Sequence, residues 1–80
     1  MGSQRIGVVG AGVMGSEIAQ VAAAAGMAVT LRDVDAAALA RGLAHVRDIG
    51  ERRVARGRLD ADEAEAILVR ITPVEDDDAL

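Results

Sequence analysis

The chain has 80 residues, a formal net charge of −4, and no cysteine, phenylalanine, tyrosine or tryptophan. A chain of this length forms one small domain and buries only about 60% of its unfolded surface. Without cysteine, disulfides and thiol chemistry are excluded, and no cluster of metal ligands is expected. The net negative charge argues against a nucleic-acid partner. The sequence contains no apolar run long enough to span a membrane. A cytoplasmic location is therefore expected.

The first half of the sequence changes from strand to helix and back to strand. Residues 5–9 are short and β-branched, which predicts a buried strand. From Val13 the apolar residues follow helical spacing, and Gly26 stands where a C-cap glycine belongs. Residues 28–32 predict a second strand. A helix between two parallel strands predicts a right-handed crossover.

Two further helices are predicted in the second half. Residues 36–57 carry an apolar stripe interrupted at Gly50, where a kink or local fraying is expected because glycine costs about 1 kcal/mol in a helix. Asp60 and Glu63 form a capping-box pattern, so a third helix is expected to begin there and to run to about Val69.

The last predicted element is a weak third strand over residues 70–74. Pro73 cannot donate a ladder hydrogen bond, which suits a sheet edge or a strand end. The acidic residues 75–78 are expected to be a solvated loop. The predicted fold class is α/β: a three-stranded parallel sheet in the order 3-2-1 with crossover helices, half of a doubly wound domain.

The most informative motif is Gly-x-Gly-x-x-Gly, placed between the first strand and the first helix. The first glycine, Gly10, permits a tight turn, Gly12 lets the backbone approach a pyrophosphate, and Gly15 lets the helix pack close to the sheet. The alternative is a flexible glycine turn without a ligand, but the placement favours a dinucleotide. The predicted cofactor-binding residues of this loop are Gly10, Ala11, Gly12, Val13, Met14 and Gly15.

Asp33 is the second predicted cofactor-binding residue, because it ends the second strand 18 residues after Gly15. A carboxylate there accepts hydrogen bonds from the adenosine ribose and repels a 2′-phosphate, which selects NAD over NADP. The alternative is a helix N-cap, a role that Asp35 fits better. The adjacent Arg32 could meet a 2′-phosphate, although strand alternation points it away from Asp33.

Other polar residues carry weaker signals. His45 is the only histidine, and a solvated helix position is favoured over a catalytic role, so no catalytic residue is assigned. A basic cluster suits a solvated helix end, with an anion site for a phosphorylated substrate as the alternative. The cluster consists of Arg52, Arg53, Arg56 and Arg58.

Five stretches of sequence occur in a specific order: residues 10–15, 18–22, 31–34, 56–59 and 71–73. Together they closely resemble the N-terminal domain of the bacterial 3-hydroxyacyl-CoA dehydrogenases, from Arg5 to the last residue. The resemblance implies a Rossmann-type domain, NAD as cofactor, and oxidation of the 3-hydroxyl of an acyl-CoA to a ketone. Residues 1–80 would be its first half.

The same resemblance implies groups that lie beyond this chain. In the family, the catalytic His and Glu, the Ser and Asn around the reacting carbonyl, and a helical dimerisation domain all follow later. The family also reaches CoA with a Ser and a Lys, which align with Ile49 and Arg56. Arg56 keeps a positive charge that suits a CoA phosphate, whereas Ile49 cannot replace the hydroxyl.

Two functional classes follow for the 80 residues. One is the NAD-binding part of an oxidoreductase, and the alternative is a non-catalytic nucleotide-binding or self-associating fragment. If the first strand is central in a larger sheet, its free edge in this chain is a template for pairing. We therefore expect a homodimer or another association through that edge.

Overall fold

Three strands and three helices make up residues 4–75, the part of the chain that this computed structural model describes. In chain order they are β1 (Arg5–Val9), α1 (Val13–Ala24), β2 (Ala28–Asp33), α2 (Ala36–Ala55), α3 (Ala61–Val69) and β3 (Ile71–Glu75). The predicted alternation of elements is confirmed, with boundaries shifted by one or two residues. Glu75 ends β3, and the remainder of the acidic segment lies outside the described residues.

The sheet is parallel and has β2 at its centre, so the predicted strand order is confirmed. Val8 pairs with Leu31, and Leu31 pairs in turn with Pro73 on the outer strand β3. This edge position agrees with the missing N–H of Pro73. Because all strands run in one direction, β1 and β2 both end at the edge of the sheet where the glycine motif begins.

The core lies between the sheet and the helices. Val29 and Leu31 of β2 are fully buried, as expected for the central strand, and α1 and α2 pack against this strand and against each other. Val46 of α2 and Ile67 of α3 complete the core beside Ala19 of α1. Alanines replace the missing aromatic side chains, which lets the helices approach the sheet closely.

Both long helices end in a glycine with a left-handed backbone. Gly26 has φ +96° and follows α1, as predicted, while Gly57 has φ +71° and follows α2. The N–H of Met27 donates to the carbonyl of Ala22 at 3.1 Å, and the N–H of Gly26 donates to that of Ala23 at 3.0 Å. These bonds define a Schellman motif. The same motif closes α2, where the N–H of Gly57 donates to the carbonyl of Val54 at 3.0 Å and the N–H of Arg58 donates to that of Arg53 at 2.9 Å, so this helix ends before Gly57 although the sequence predicts that it includes Gly57.

The helix α2 continues through Gly50 without a break, although the sequence predicts a kink or fraying there. Gly50 lies against α3, where an added Cβ would stand 3.4 Å from the Cβ of Ala64. Packing between α2 and α3 therefore compensates for the low helix propensity of glycine.

The predicted capping box is not formed. Asp60 is the N-cap of α3, but its side chain makes no capping hydrogen bond. The Glu63 carboxylate instead pairs with Arg70 at 3.2 Å, and the Arg70 guanidinium also donates to the carbonyl of Ala23 at 2.8 Å. Arg70 is the C-cap of the same helix, seven residues after Glu63, and its bond to Ala23 joins this helix end to α1. The carboxylate that the local pattern assigned to the N-cap thus pairs with the C-cap residue instead.

Candidate cofactor site

The glycine motif forms a tight loop between β1 and α1. Gly10 has φ +96°, a backbone conformation that residues with a Cβ rarely adopt. Its N–H donates to the carbonyl of Arg32 on β2 at 2.7 Å. A Cβ added to Gly15 would overlap the carbonyl oxygen of Gly10. Glycine at both positions therefore allows α1 to start directly against the end of β1.

Gly12 is the N-cap of α1 and faces open space. An added Cβ there would meet no atom within 4 Å, and no side chain caps this end of the helix. The N–H groups of the first helical turn have no intrahelical acceptors, and they carry the positive end of the helix dipole. Val13 and Met14, in that turn, are 66% and 76% exposed. The loop therefore presents free backbone donors to an anion.

Asp33 lies beside the loop and is hydrogen-bonded to it. Its Oδ2 accepts the N–H of buried Ala11 at 2.9 Å, and its Oδ1 accepts the N–H of Asp35 at 3.0 Å. The Ala11 bond first, and then the Asp35 bond, lower the pKa of the Asp33 carboxyl because they stabilise its ionised form, and the charge of Arg41 adds to the effect. A carboxylate has about four acceptor sites, so both oxygens keep capacity for ribose hydroxyls.

The capping role falls to Asp35, as the sequence predicts. Asp35 is the N-cap of α2, and its Oδ1 accepts the N–H of Ala37 at 2.9 Å. The two neighbouring carboxylates thus have separate tasks: Asp35 begins the helix, and Asp33 turns toward the glycine loop.

Two buried small residues of the site, Gly42 and Ser16, carry no sequence pattern that predicts their position. A Cβ added to Gly42 of α2 would lie 2.8 Å from the carbonyl oxygen of Ala11 and 3.5 Å from the Cβ of Ser16. Ser16 is fully buried, and its hydroxyl donates to the carbonyl of Val13 at 3.0 Å. Gly42 sets how closely α2 approaches the loop. The only sequence signal was a glycine within a helical pattern, the same signal that drew attention to Gly50.

His45 lies on α2, in agreement with its prediction as a helix residue, and it also makes a contact that the sequence did not predict. It is half-buried, and its Nε2 lies 3.3 Å from Oε2 of Glu17 on α1. The pair joins the two helices that flank the loop. The carboxylate is 28 residues away in sequence, so helical spacing around His45 could not reveal it.

The basic cluster lies at the other end of α2. Arg56 is the C-cap of the helix whose N-cap is Asp35, and a helix of 20 residues is about 30 Å long. Arg52 pairs with Asp48 at 2.8 Å on the helix surface. The structure therefore does not bring Arg56 to the glycine loop, and its contact with a CoA phosphate stays a prediction. Cations in the last turn also favour the helix dipole.

A comparison with known families identifies this arrangement. Residues 5–80 match the family model described as 3-hydroxyacyl-CoA dehydrogenase, NAD binding domain. The chain belongs to this family. Its cofactor is NAD, as the sequence predicts. The fold likewise agrees with the Rossmann-type α/β prediction.

Several members of the family are similar to this chain in sequence and in structure. The chain is 43% identical over 77 residues to 3-hydroxyadipyl-CoA dehydrogenase of Escherichia coli, covering 96% of this chain and 16% of that protein. It is 41% identical over 69 residues to 3-hydroxybutyryl-CoA dehydrogenase of Mycobacterium tuberculosis, covering 86% and 24%. The crystal structure of (S)-3-hydroxybutyryl-CoA dehydrogenase from Ralstonia eutropha superposes with a TM-score of 0.89 at 32% identity, covering 94% and 26%. The chain thus spans about a quarter or less of these relatives.

Proposed function

We propose that this chain forms the NAD-binding part of an enzyme that converts (S)-3-hydroxyacyl-CoA and NAD to 3-oxoacyl-CoA and NADH. The observation that carries the proposal is the hydrogen bond between Asp33 and Ala11, which joins the ribose-selecting carboxylate to the glycine loop. The names of the family and of its relatives, which include 3-hydroxybutyryl-CoA dehydrogenases, support the choice of substrate.

The residues present fit a dinucleotide. The open space at Gly12 leaves room for a pyrophosphate against the backbone, and the N–H groups of Val13 and Met14 would donate to it. The Asp33 carboxylate would accept the ribose hydroxyls. When bound, NAD accepts the hydride that leaves the 3-hydroxyl carbon. The residues described here would bind and orient it.

The groups that act on the hydroxyl are proposed to lie in the part of the relatives that this chain does not span. The paired His45 of α2 is not assigned as a base. Residues 1–80 would then be the first half of a Rossmann domain, followed by the catalytic half and a helical domain. Within residues 4–75, no helix has both the length and the apolar character needed to cross a membrane. The cytoplasmic location stays a prediction.

Asp33→Ala is the direct test of cofactor choice. We expect the unaltered chain to bind NADH in preference to NADPH, because the Asp33 carboxylate accepts ribose hydroxyls and repels a 2′-phosphate. Asp33→Ala should weaken NADH binding by about tenfold and reduce the preference, since a hydrogen bond to a charged group contributes about 1.5–3 kcal/mol. Fluorescence titration of both nucleotides measures the effect.

The neighbouring Asp35→Ala variant provides a matched control. It removes the N-cap of α2 and should cost about 1 kcal/mol of stability, but it should leave the preference for NADH intact. If Asp33→Ala retained the selectivity of the unaltered chain, the ribose assignment would be wrong. If the unaltered chain bound neither nucleotide, only the alternative of a self-associating fragment would remain.

We further propose that the isolated chain self-associates through the outer edge of β1. Among the described residues, β1 pairs only with β2, so its other edge presents unpaired backbone groups. An apolar groove of about 490 Å³ runs beside this strand, between Ile6, Met27 and α1. Ile18 and Val21 of α1 line it and are 47% and 66% exposed. A second copy would cover both features in a two-fold symmetric dimer.

Light scattering over a dilution series tests this association. We expect a dimer at high concentration and a monomer after dilution, with Val21→Asp shifted to the monomer because it places a charge in the groove. Val69→Asp is the control, since Val69 of α3 is 72% exposed and lies outside the groove. A folded monomer at every concentration would refute the edge interaction.

A further inference from the structure

A second groove lies on the glycine loop itself, between the start of α1 and the first half of α2. It has a volume of about 310 Å³. The loop side is formed by Ala11, Gly12 and Val13, and the α2 side includes Arg41 and Gly42. The groove therefore adjoins the free backbone donors of the first turn of α1.

The close packing of α2 places Arg41 at this position. At Gly42, the distance from an added Cβ to the Ala11 carbonyl would be only 2.8 Å, so α2 lies as near to the loop as its backbone permits. Arg41 precedes Gly42 and lines the same groove as Gly12. Its side chain is exposed at the rim.

Among the described residues, the Arg41 guanidinium has no hydrogen-bond or ion-pair partner. The hydrogen bonds and ion pairs formed among residues 4–75 do not include its guanidinium. The other ionisable side chain that lines the groove, His45, lies 3.3 Å from Glu17. The positive charge of Arg41 also contributes to the lowered pKa of Asp33, in agreement with a position near the site.

We propose that Arg41 is a further cofactor-binding residue, whose guanidinium donates to the pyrophosphate of the dinucleotide from the α2 side of the loop. This inference rests on the proposed function. A guanidinium presents a planar fork of donors that matches two phosphate oxygens, and it would oppose the backbone donors of α1 across the bound anion. Arg41 would thus bind the phosphates, and Asp33 the ribose.

The test compares Arg41→Gln with Arg47→Gln on the full chain. Arg47 is an exposed arginine of the same helix that lines a different groove, so it controls for the loss of one positive charge. We expect Arg41→Gln to weaken NADH and ADP binding by about tenfold, because charge-assisted hydrogen bonds to phosphate are stronger than hydrogen bonds between neutral groups. The affinity for adenosine, which lacks phosphate, should be the same in both variants.

The outcomes separate this inference from the proposed function. Equal NADH affinity in the two variants would overturn the role of Arg41 while leaving NAD binding in place. Equal weakening of adenosine and ADP in Arg41→Gln would also overturn it, because Arg41 would then act only through Asp33. An unaltered chain that binds no NADH would overturn the proposed function itself and, with it, this inference.

Discussion

Replacing Gly15 by alanine is expected to destabilise the chain by about 3 kcal/mol and to abolish NADH binding. The added methyl group would overlap the carbonyl oxygen of Gly10, a backbone atom that cannot rotate away, and would also stand 3.6 Å from Val8. Relief requires α1 to move away from β1, which separates the loop from the end of the strand. Urea denaturation followed by circular dichroism measures the stability loss, and an NADH titration measures binding.

Gly12→Ala is the matched control, because the two glycines stand in one loop but differ in their surroundings. The Gly12 backbone has φ −68°, which alanine adopts readily, and an added Cβ meets nothing within 4 Å. The stability cost should stay within about 1 kcal/mol, the difference between glycine and alanine at an N-cap. NADH binding should nevertheless fall, since the methyl group occupies the space proposed for the pyrophosphate. Equal unfolding midpoints for Gly15→Ala and the unaltered chain would contradict this account of the loop.

The second large effect is that the same glycine-to-alanine substitution is expected to lower the free energy of unfolding at one position of α2 and not at another. Gly42→Ala is expected to destabilise the chain by at least about 1 kcal/mol, although alanine favours a helix by about 1 kcal/mol over glycine. The new Cβ would stand 2.8 Å from the Ala11 carbonyl oxygen and would push α2 away from the loop. NADH affinity should fall together with stability, because the N–H of Ala11 donates to the Asp33 carboxylate, which is proposed to bind the ribose.

Gly50→Ala in the same helix is expected to be neutral or stabilising by up to about 1 kcal/mol. Its added Cβ would meet only the Cβ of Ala64, at 3.4 Å, which is close to ordinary contact. NADH affinity should not change, because the proposed site involves Gly42 and not Gly50. Denaturation and titration of both variants under the same conditions provide the measurement. A stabilising Gly42→Ala would show that α2 does not restrain the loop.

The sequence predicted the elements of this fold because their signals are local. Strand β2 shows a β-branched run bounded by Gly26 and the Asp33 turn, and α1 shows helical periodicity that ends at a glycine. Contacts between distant residues could not be predicted in this way. Arg70 illustrates the difference, because its guanidinium donates to the carbonyl of Ala23, 47 residues away in sequence. The same guanidinium pairs with Glu63, whose spacing from Asp60 had indicated a capping box.

The same division applies to the candidate site. The glycine motif and its Asp33 partner were readable from spacing, because a strand, a tight turn and a helix N-terminus follow one another in the chain. The bond from Ala11 to Asp33 spans 22 residues and depends on the pairing of β1 with β2. Gly42 and Arg41 lie near the loop only because α2 packs against it, and the sequence around these two residues contains no pattern that predicts this contact.

The hydrogen bond from Ala11 to Asp33 has a thermodynamic consequence for cofactor binding. Because the carboxylate holds the loop before any ligand arrives, the backbone around Gly12 has already lost much of its conformational entropy on folding. Ordering a flexible loop at the moment of association would subtract from affinity, whereas a loop already in place leaves more of the phosphate contact energy as binding free energy. The cofactor then binds to a loop whose conformation is already set by the folding of β1, α1 and β2.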